Sequence, residues 1–95
     1  MDKVFIKVLS IIQEYTEISS DRILKDKHEE CVDYRILLIE ALHRVGISDQ
    51  AIADRLQLTR QGVNYLRNKF KQRIKFSYNL SSIWKEIEKE LKSIY

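Results

Sequence analysis

The stretch Ile47 to Phe70, ISDQAIADRLQLTRQGVNYLRNKF, decides how the rest of the chain is read. It holds two short apolar-periodic runs, each preceded by a hydroxyl residue suited to capping a helix. Ser48 is a good N-cap for a helix with apolar positions at Ala51, Ile52 and Leu56, and Leu58 follows just past its end. Thr59 caps a second helix, in which Val63, Leu66, Phe70 and Ile74 recur at spacings of three and four and share one face. Ala53 is small enough for the two helices to cross closely. Gln57 stands where such a turn usually carries Gly, and a non-Gly residue held in the left-handed region costs about 1 kcal/mol.

The opposite face of the second helix, Arg60, Gln61, Asn64, Tyr65, Arg67, Asn68 and Lys71, carries residue types that hydrogen-bond base edges or phosphates. A small residue, three apolar positions and a cap at set offsets, with such a face turned outward, form the pattern of a helix-turn-helix. The plainer reading is a helical hairpin in a small all-α protein. Charge supports the first. Residues 1–54 carry seven Lys and Arg against eleven Asp and Glu, a balance of −4, whereas residues 55–85 carry eight basic and no acidic residues. The basic block coincides with the proposed recognition helix, and such a block displaces counterions from phosphates.

In a major groove, the N-terminal residues of the helix meet base edges and later ones meet the backbone. Arg60 then suits guanine and Gln61 or Asn64 suits adenine, each contact giving about 1–3 kcal/mol of discrimination. Arg67, Asn68 and Lys71 suit phosphates, and Lys69, Arg73 and Lys75 add to the field. Gly62 either lets the backbone approach DNA or relieves packing in the turn.

The third helix, Glu29 to Val45, has apolar positions at Cys31, Val32, Ile36, Leu38, Ile39, Leu42 and Val45. Gly46 ends it as a left-handed cap. It is the expected central pillar, with Arg35 projecting outward either toward a phosphate or into a surface salt bridge with Asp33 or Glu40. Met1 to Ile18 reads as a broadly apolar first helix, with Val4, Phe5, Val8, Ile11, Ile12 and Tyr15 on one stripe. Lys7 interrupts the run and no small-residue cleavage site follows, so it is not read as a signal peptide, and its charges exclude a membrane span. Ser19 or Ser20 caps a short second helix through Ile23 and Leu24. A last helix begins between Asn79 and Ser82, where Leu80, Trp84, Ile87, Leu91 and Ile94 form a heptad-like seam. The economical expectation packs it antiparallel on the first helix; pairing across a homodimer is the alternative.

Ninety-five residues, 44% hydrophobic and 33% charged, with no Pro and two Gly, suit one all-α domain with one core. A lone cysteine, Cys31, forms no internal disulfide and fits a reducing cytoplasm. His28 and Cys31 have a two-ligand spacing, but a zinc site needs about four ligands and His43 has no matching partner, so neither a metal nor another cofactor is expected. No nucleophile, base and orienter can be placed together, so the chain is not read as an enzyme.

From about Ile18 to Phe76 the chain resembles the C-terminal DNA-binding domain of the bacterial replication initiator DnaA, and the wider DnaA-like and Trp-repressor-like helix-turn-helix group. The resemblance rests on the short helix before Lys25, on Val32-Asp33-Tyr34-Arg35 opening an apolar helix, and on Ile52-Ala53-Asp54-Arg55-Leu56 continuing through Thr59 to Val63. It implies a recognition helix in the major groove, with Thr59, Arg60, Gln61 and Asn64 at or near bases, and a phosphate-gripping loop at Lys25 to Glu30. Thr59-Arg60-Gln61-Gly62 stands where the family has Asp-His-Ser/Thr-Thr, so origin-type recognition is not implied. No phosphate-binding Gly-rich loop is present.

The expectation is therefore a compact all-α bundle of about six helices, one domain over residues 1–95, with residues 1–18 and 80–95 as packing or dimerisation flanks. Its expected task is sequence-specific binding of double-stranded DNA as a small bacterial or phage-type transcriptional regulator. The alternative is a protein-interaction module that keeps the helix-turn-helix shape.

Overall fold

Four consecutive residues, Ile36 to Ile39, are each 1% exposed or less, which leaves the middle of their helix no side for solvent. A helix apolar all round must be covered all round. The computed structural model describes residues 2–94, with backbone alone at position 94. Within them lie seven helices: α1 (Asp2–Thr16), α2 (Ser20–Lys25), α3 (Glu29–Arg44), α4 (Asp49–Leu56), α5 (Arg60–Asn68), α6 (Phe70–Phe76) and α7 (Tyr78–Ile94). Helix α3 packs against each of the other six, so it is the pillar the sequence implied. The fold is an all-α bundle, and none of its helices is long and apolar enough to cross a membrane.

The flanking helices supply much of the cover. Helix α1 buries Val4, Phe5, Val8, Leu9 and Ile12 against α3 and α7; Met1, the expected start, lies outside the described residues. Helix α7 starts at Tyr78, slightly earlier than expected, because the Ser77 hydroxyl accepts the Leu80 N–H at 3.2 Å. It buries Leu80, Ile83, Trp84, Ile87 and Leu91 against α1, α3 and α6. Ile83 widens the expected seam into the broad stripe that a bundle helix needs. The side chain of Ile94, assigned to that seam, lies outside the described residues.

Local chemistry sets the helix ends. Ser19, Ser48 and Thr59 accept the backbone N–H groups of Arg22, Ala51 and Gly62 at 3.4, 3.2 and 2.9 Å. Gly46 has φ +91°, and the next residue, Ile47, donates its N–H back to the Leu42 carbonyl at 3.2 Å. Gln57 does the same work without being glycine. It sits at φ 58°, ψ 43°, and the Leu58 N–H reaches the Ala53 carbonyl at 2.8 Å, closing the turn between α4 and α5.

The helix expected to run from Thr59 past Phe70 to Ile74 is two helices. Lys69, at φ −84°, ψ −10°, turns its N–H to the Leu66 carbonyl at 3.1 Å, three residues back, and α6 starts afresh. The break sets Phe70 edge-on to Trp84, with ring centroids 4.7 Å apart and planes 70° apart. The Arg44 guanidinium lies over both rings, at 5.4 and 4.9 Å from the centroids. Such an aromatic pair contributes about 0.5–1.5 kcal/mol beyond its burial, enough to favour a bend that helix periodicity does not announce.

The strain at Gln57 is open to direct measurement. Gln57→Gly removes the left-handed penalty but makes the unfolded chain more flexible, so a net stabilisation of up to about 1 kcal/mol is expected in urea unfolding. An unchanged or lower midpoint would mean that the Gln57 side chain contributes more than its strain costs.

Candidate nucleic-acid interface

Helix α5 opens without an acidic residue in its first turn, so no carboxylate there opposes the positive end of its dipole. Just after the Thr59 cap, Arg60, Gln61, Asn64, Tyr65 and Asn68 are exposed and line one groove of about 590 Å³. The opposite wall is the start of α4: Ser48, Asp49 and Gln50. Five of the residues read from the sequence thus converge. Nothing in the sequence marks the α4 residues as part of the site: Ser48 is a cap by its chemistry, and only the crossing of the two helices brings it opposite Arg60.

Within the groove, the Asn68 amide donates to the Asn64 side-chain oxygen at 3.2 Å, four residues back. The Lys69 ammonium sits 4.2 Å from the Tyr65 ring centroid, and its closeness holds the Tyr65 hydroxyl below the usual phenol range. Gly62 has a local reason. A Cβ there would lie 3.1 Å from the Thr59 hydroxyl that caps its N–H, so a side chain would crowd the cap.

Arg67, expected at a phosphate, and Arg35, expected at either a phosphate or a surface carboxylate, are both held elsewhere. Arg67 is half-buried and places Nη2 2.9 Å from Asp49 Oδ2, tying α5 to α4 across the base of the groove. That hydrogen bond holds the Asp49 carboxyl below the ordinary range. Asp49 Oδ1 and Arg67 Nε are enclosed with no hydrogen-bond partner, so the pair is single-pronged. Arg35 does not project outward. It is 8% exposed, and its Nε and Nη2 donate to the carbonyls of Ile23 and Asp26 at 3.0 and 2.8 Å. The end of α2 leaves carbonyls without helical partners, and a guanidinium satisfies two at once. Arg35 is therefore a strut between α2 and α3, joined neither to a phosphate site nor to Asp33 or Glu40.

The loop after α2 is likewise occupied with itself. Asp26 accepts from the His28 N–H and from Arg22 Nε, both at 2.9 Å, and these bonds hold its carboxyl far below the usual range. His28 is exposed, with its ring against Asp26, whereas Cys31 is fully buried. Lys71 is exposed but sits on α6, past the break, and lines no part of the groove.

The basic block is partly neutralised by the acidic half of the chain. Arg55 pairs with Asp2 at 3.4 Å, Arg67 with Asp49, and Arg73 with Glu29 and Asp33 at 2.9 and 3.3 Å. Burial still pushes the Asp33 carboxyl up, against the pull of Arg73. Arg60, Lys69, Lys71, Lys75 and Lys85, the rest of the block, make no ion pair among the described residues. No protein-family model, curated protein or solved structure matches the chain.

Two measurements test these assignments. Arg35→Ala strands two carbonyls and lowers stability by about 2–4 kcal/mol in urea unfolding; a loss within 0.5 kcal/mol, roughly the size of a surface change, would contradict the strut role. Because the folded Asp49 carboxyl titrates below its unfolded value, the pair stabilises fully above about pH 4 and loses that effect as pH falls through the folded value. Asp49→Asn should therefore flatten the acid limb of the stability curve, read as urea midpoints between about pH 5 and 2.

Proposed function

We propose that this protein binds double-stranded DNA sequence-specifically, with α5 in the major groove, as a small transcriptional regulator of the bacterial or phage helix-turn-helix type. The observation that carries the reading is the groove at the start of α5. Five exposed side chains able to address bases converge there, and the one carboxylate that lines the groove, Asp49, is matched by Arg67. The resemblance to DnaA-like and Trp-repressor-like domains agrees with it. In this reading Arg60 addresses guanine, and Gln61 and Asn64 address adenine, with Asn68 orienting the Asn64 amide. Tyr65 and Lys69 serve the flanking backbone, while Ser48 and Gln50, at the start of α4, approach the same strand.

One helix in one groove gives modest affinity, so a homodimer or tandem sites complete the binding. Helix α7 spends its apolar stripe inside the chain, and of its large apolar side chains α1 leaves only Ile6 and Tyr15 exposed, at 60% and 52%, nine residues and so about half a turn apart, as separate contacts rather than one face. The second reading is a protein-interaction module. A buried thiol at Cys31 suits a reducing, cytoplasmic setting.

Fluorescence anisotropy on labelled random-sequence duplex, over a salt series, tests the proposal. Two to four phosphate contacts give a slope of log K against log salt of about −2 to −4. An Arg60→Ala/Gln61→Ala/Asn64→Ala variant should keep its fold by circular dichroism and lose the binding. No binding by the wild type at low salt would overturn the proposal and leave the protein-partner reading.

A further inference from the structure

Among the described residues, the two most exposed large apolar side chains, Phe76 at 76% and Tyr78 at 89%, stand two residues apart where α6 meets α7. Neither contributes to the core, and together they place two rings at one corner of the surface. Their neighbourhood is cationic. The Lys75 ammonium lies 5.7 Å from the Phe76 ring centroid, and Lys71 is exposed on the same short helix; neither has an ion pair among the described residues. Beside Phe76 runs a groove of about 440 Å³, lined by Lys69, Gln72, Arg73 and Ser77 as well. Its one carboxylate, Asp33, is matched by Arg73.

Flat rings beside unpaired ammonium groups fit a partner with flat rings and regularly spaced negative charge. An acidic peptide supplies the charge but seldom the rings, and a duplex keeps its bases stacked away from the surface. A single strand offers both, because unpaired bases stack on aromatic faces while lysines follow the backbone. We propose that the α6–α7 corner is a second nucleic-acid site, specific for single-stranded DNA, in which Phe76 and Tyr78 stack bases and Lys71 and Lys75 hold phosphates. The two sites adjoin at Lys69, but Phe76, Tyr78, Lys71 and Lys75 lie outside the α5 groove, so the proposal stands whether or not that groove binds duplex. It also gives Lys71, which lies outside the α5 groove, a role of its own.

The test uses a fluorescein-labelled oligothymidine of twelve nucleotides and a labelled random-sequence duplex, titrated at low salt into three proteins. These are the wild type, Phe76→Ala/Tyr78→Ala and the Arg60→Ala/Gln61→Ala/Asn64→Ala variant. The wild type binds the oligothymidine; the aromatic double variant loses about tenfold or more of that affinity and keeps any duplex affinity unchanged. The α5 variant keeps its oligothymidine affinity. Phe76→Tyr/Tyr78→Phe, which retains both rings, binds the single strand as the wild type does. The proposal is overturned if the wild type ignores oligothymidine, if the aromatic variant binds it undiminished, or if the α5 variant loses it. Failure of duplex binding with oligothymidine binding intact would overturn the α5 reading alone. Both aromatics are exposed, so the variants should fold, and matching urea midpoints confirm it.

Discussion

Helix α3 between Tyr34 and Leu42 is enclosed on every side except at Glu40, and that enclosure governs the molecule. A helix with apolar residues around its whole circumference is stable in water only if other elements surround it. Six helices do so here, and each is positioned by the patch of α3 it must cover. Helices α4 and α5 are part of that cover. Ile52, Ala53, Leu56 and Val63 face inward, so the polar residues of α5 are presented outward by the same packing that holds it. The candidate recognition face follows from the core, and no separate device is needed to expose it.

Electrostatics works across the chain in a comparable way. The acidic residues of the first half and the basic residues of the second meet in space, where three of the four arginines between positions 55 and 85 are matched by Asp2, Asp49, Glu29 and Asp33. Guanidinium suits such service, because its planar fork holds a carboxylate with fixed geometry at modest hydration cost. The lysines at 69, 71, 75 and 85, with Arg60, keep their charge for the outside. The net positive field is thus smaller than the count of basic residues, and it is concentrated on α5, α6 and the bend between them. Arg35 applies the same chemistry to backbone: a charge placed against the end of α2, where carbonyls lack partners, joins two helices that the apolar core alone would hold less firmly.

Read from residues alone, the local features of this protein are sound. Ser48, Thr59 and Gly46 carry their structural meaning in their own chemistry, a hydroxyl that replaces a missing backbone acceptor and a residue without Cβ at positive φ. The spacing of Val63 and Leu66 places Arg60, Gln61 and Asn64 on the other face wherever the helix goes. The bundle class, the central place of α3, the left-handed Gln57 and the buried state of Cys31 follow from the same short-range rules, which act over a turn or two of chain.

Other features required distant partners. Arg35 was open to two outward roles because nothing near it in sequence announces that Ile23 and Asp26, twelve and nine residues earlier, present carbonyls to it. Arg67 looked like a phosphate ligand because Asp49, its partner, lies eighteen residues away. Lys69 sits within an unbroken apolar rhythm, and the bend there answers to Trp84 in another helix. Ile83 is buried because three helices surround α7. The sequence by itself determined which segments are helices, where most of them end and which residues α5 turns away from the core, because those choices depend on periodicity and capping. Only the tertiary structure decided which charges are matched and where a continuous apolar pattern bends, because those depend on groups that meet through folding and leave no trace in local spacing.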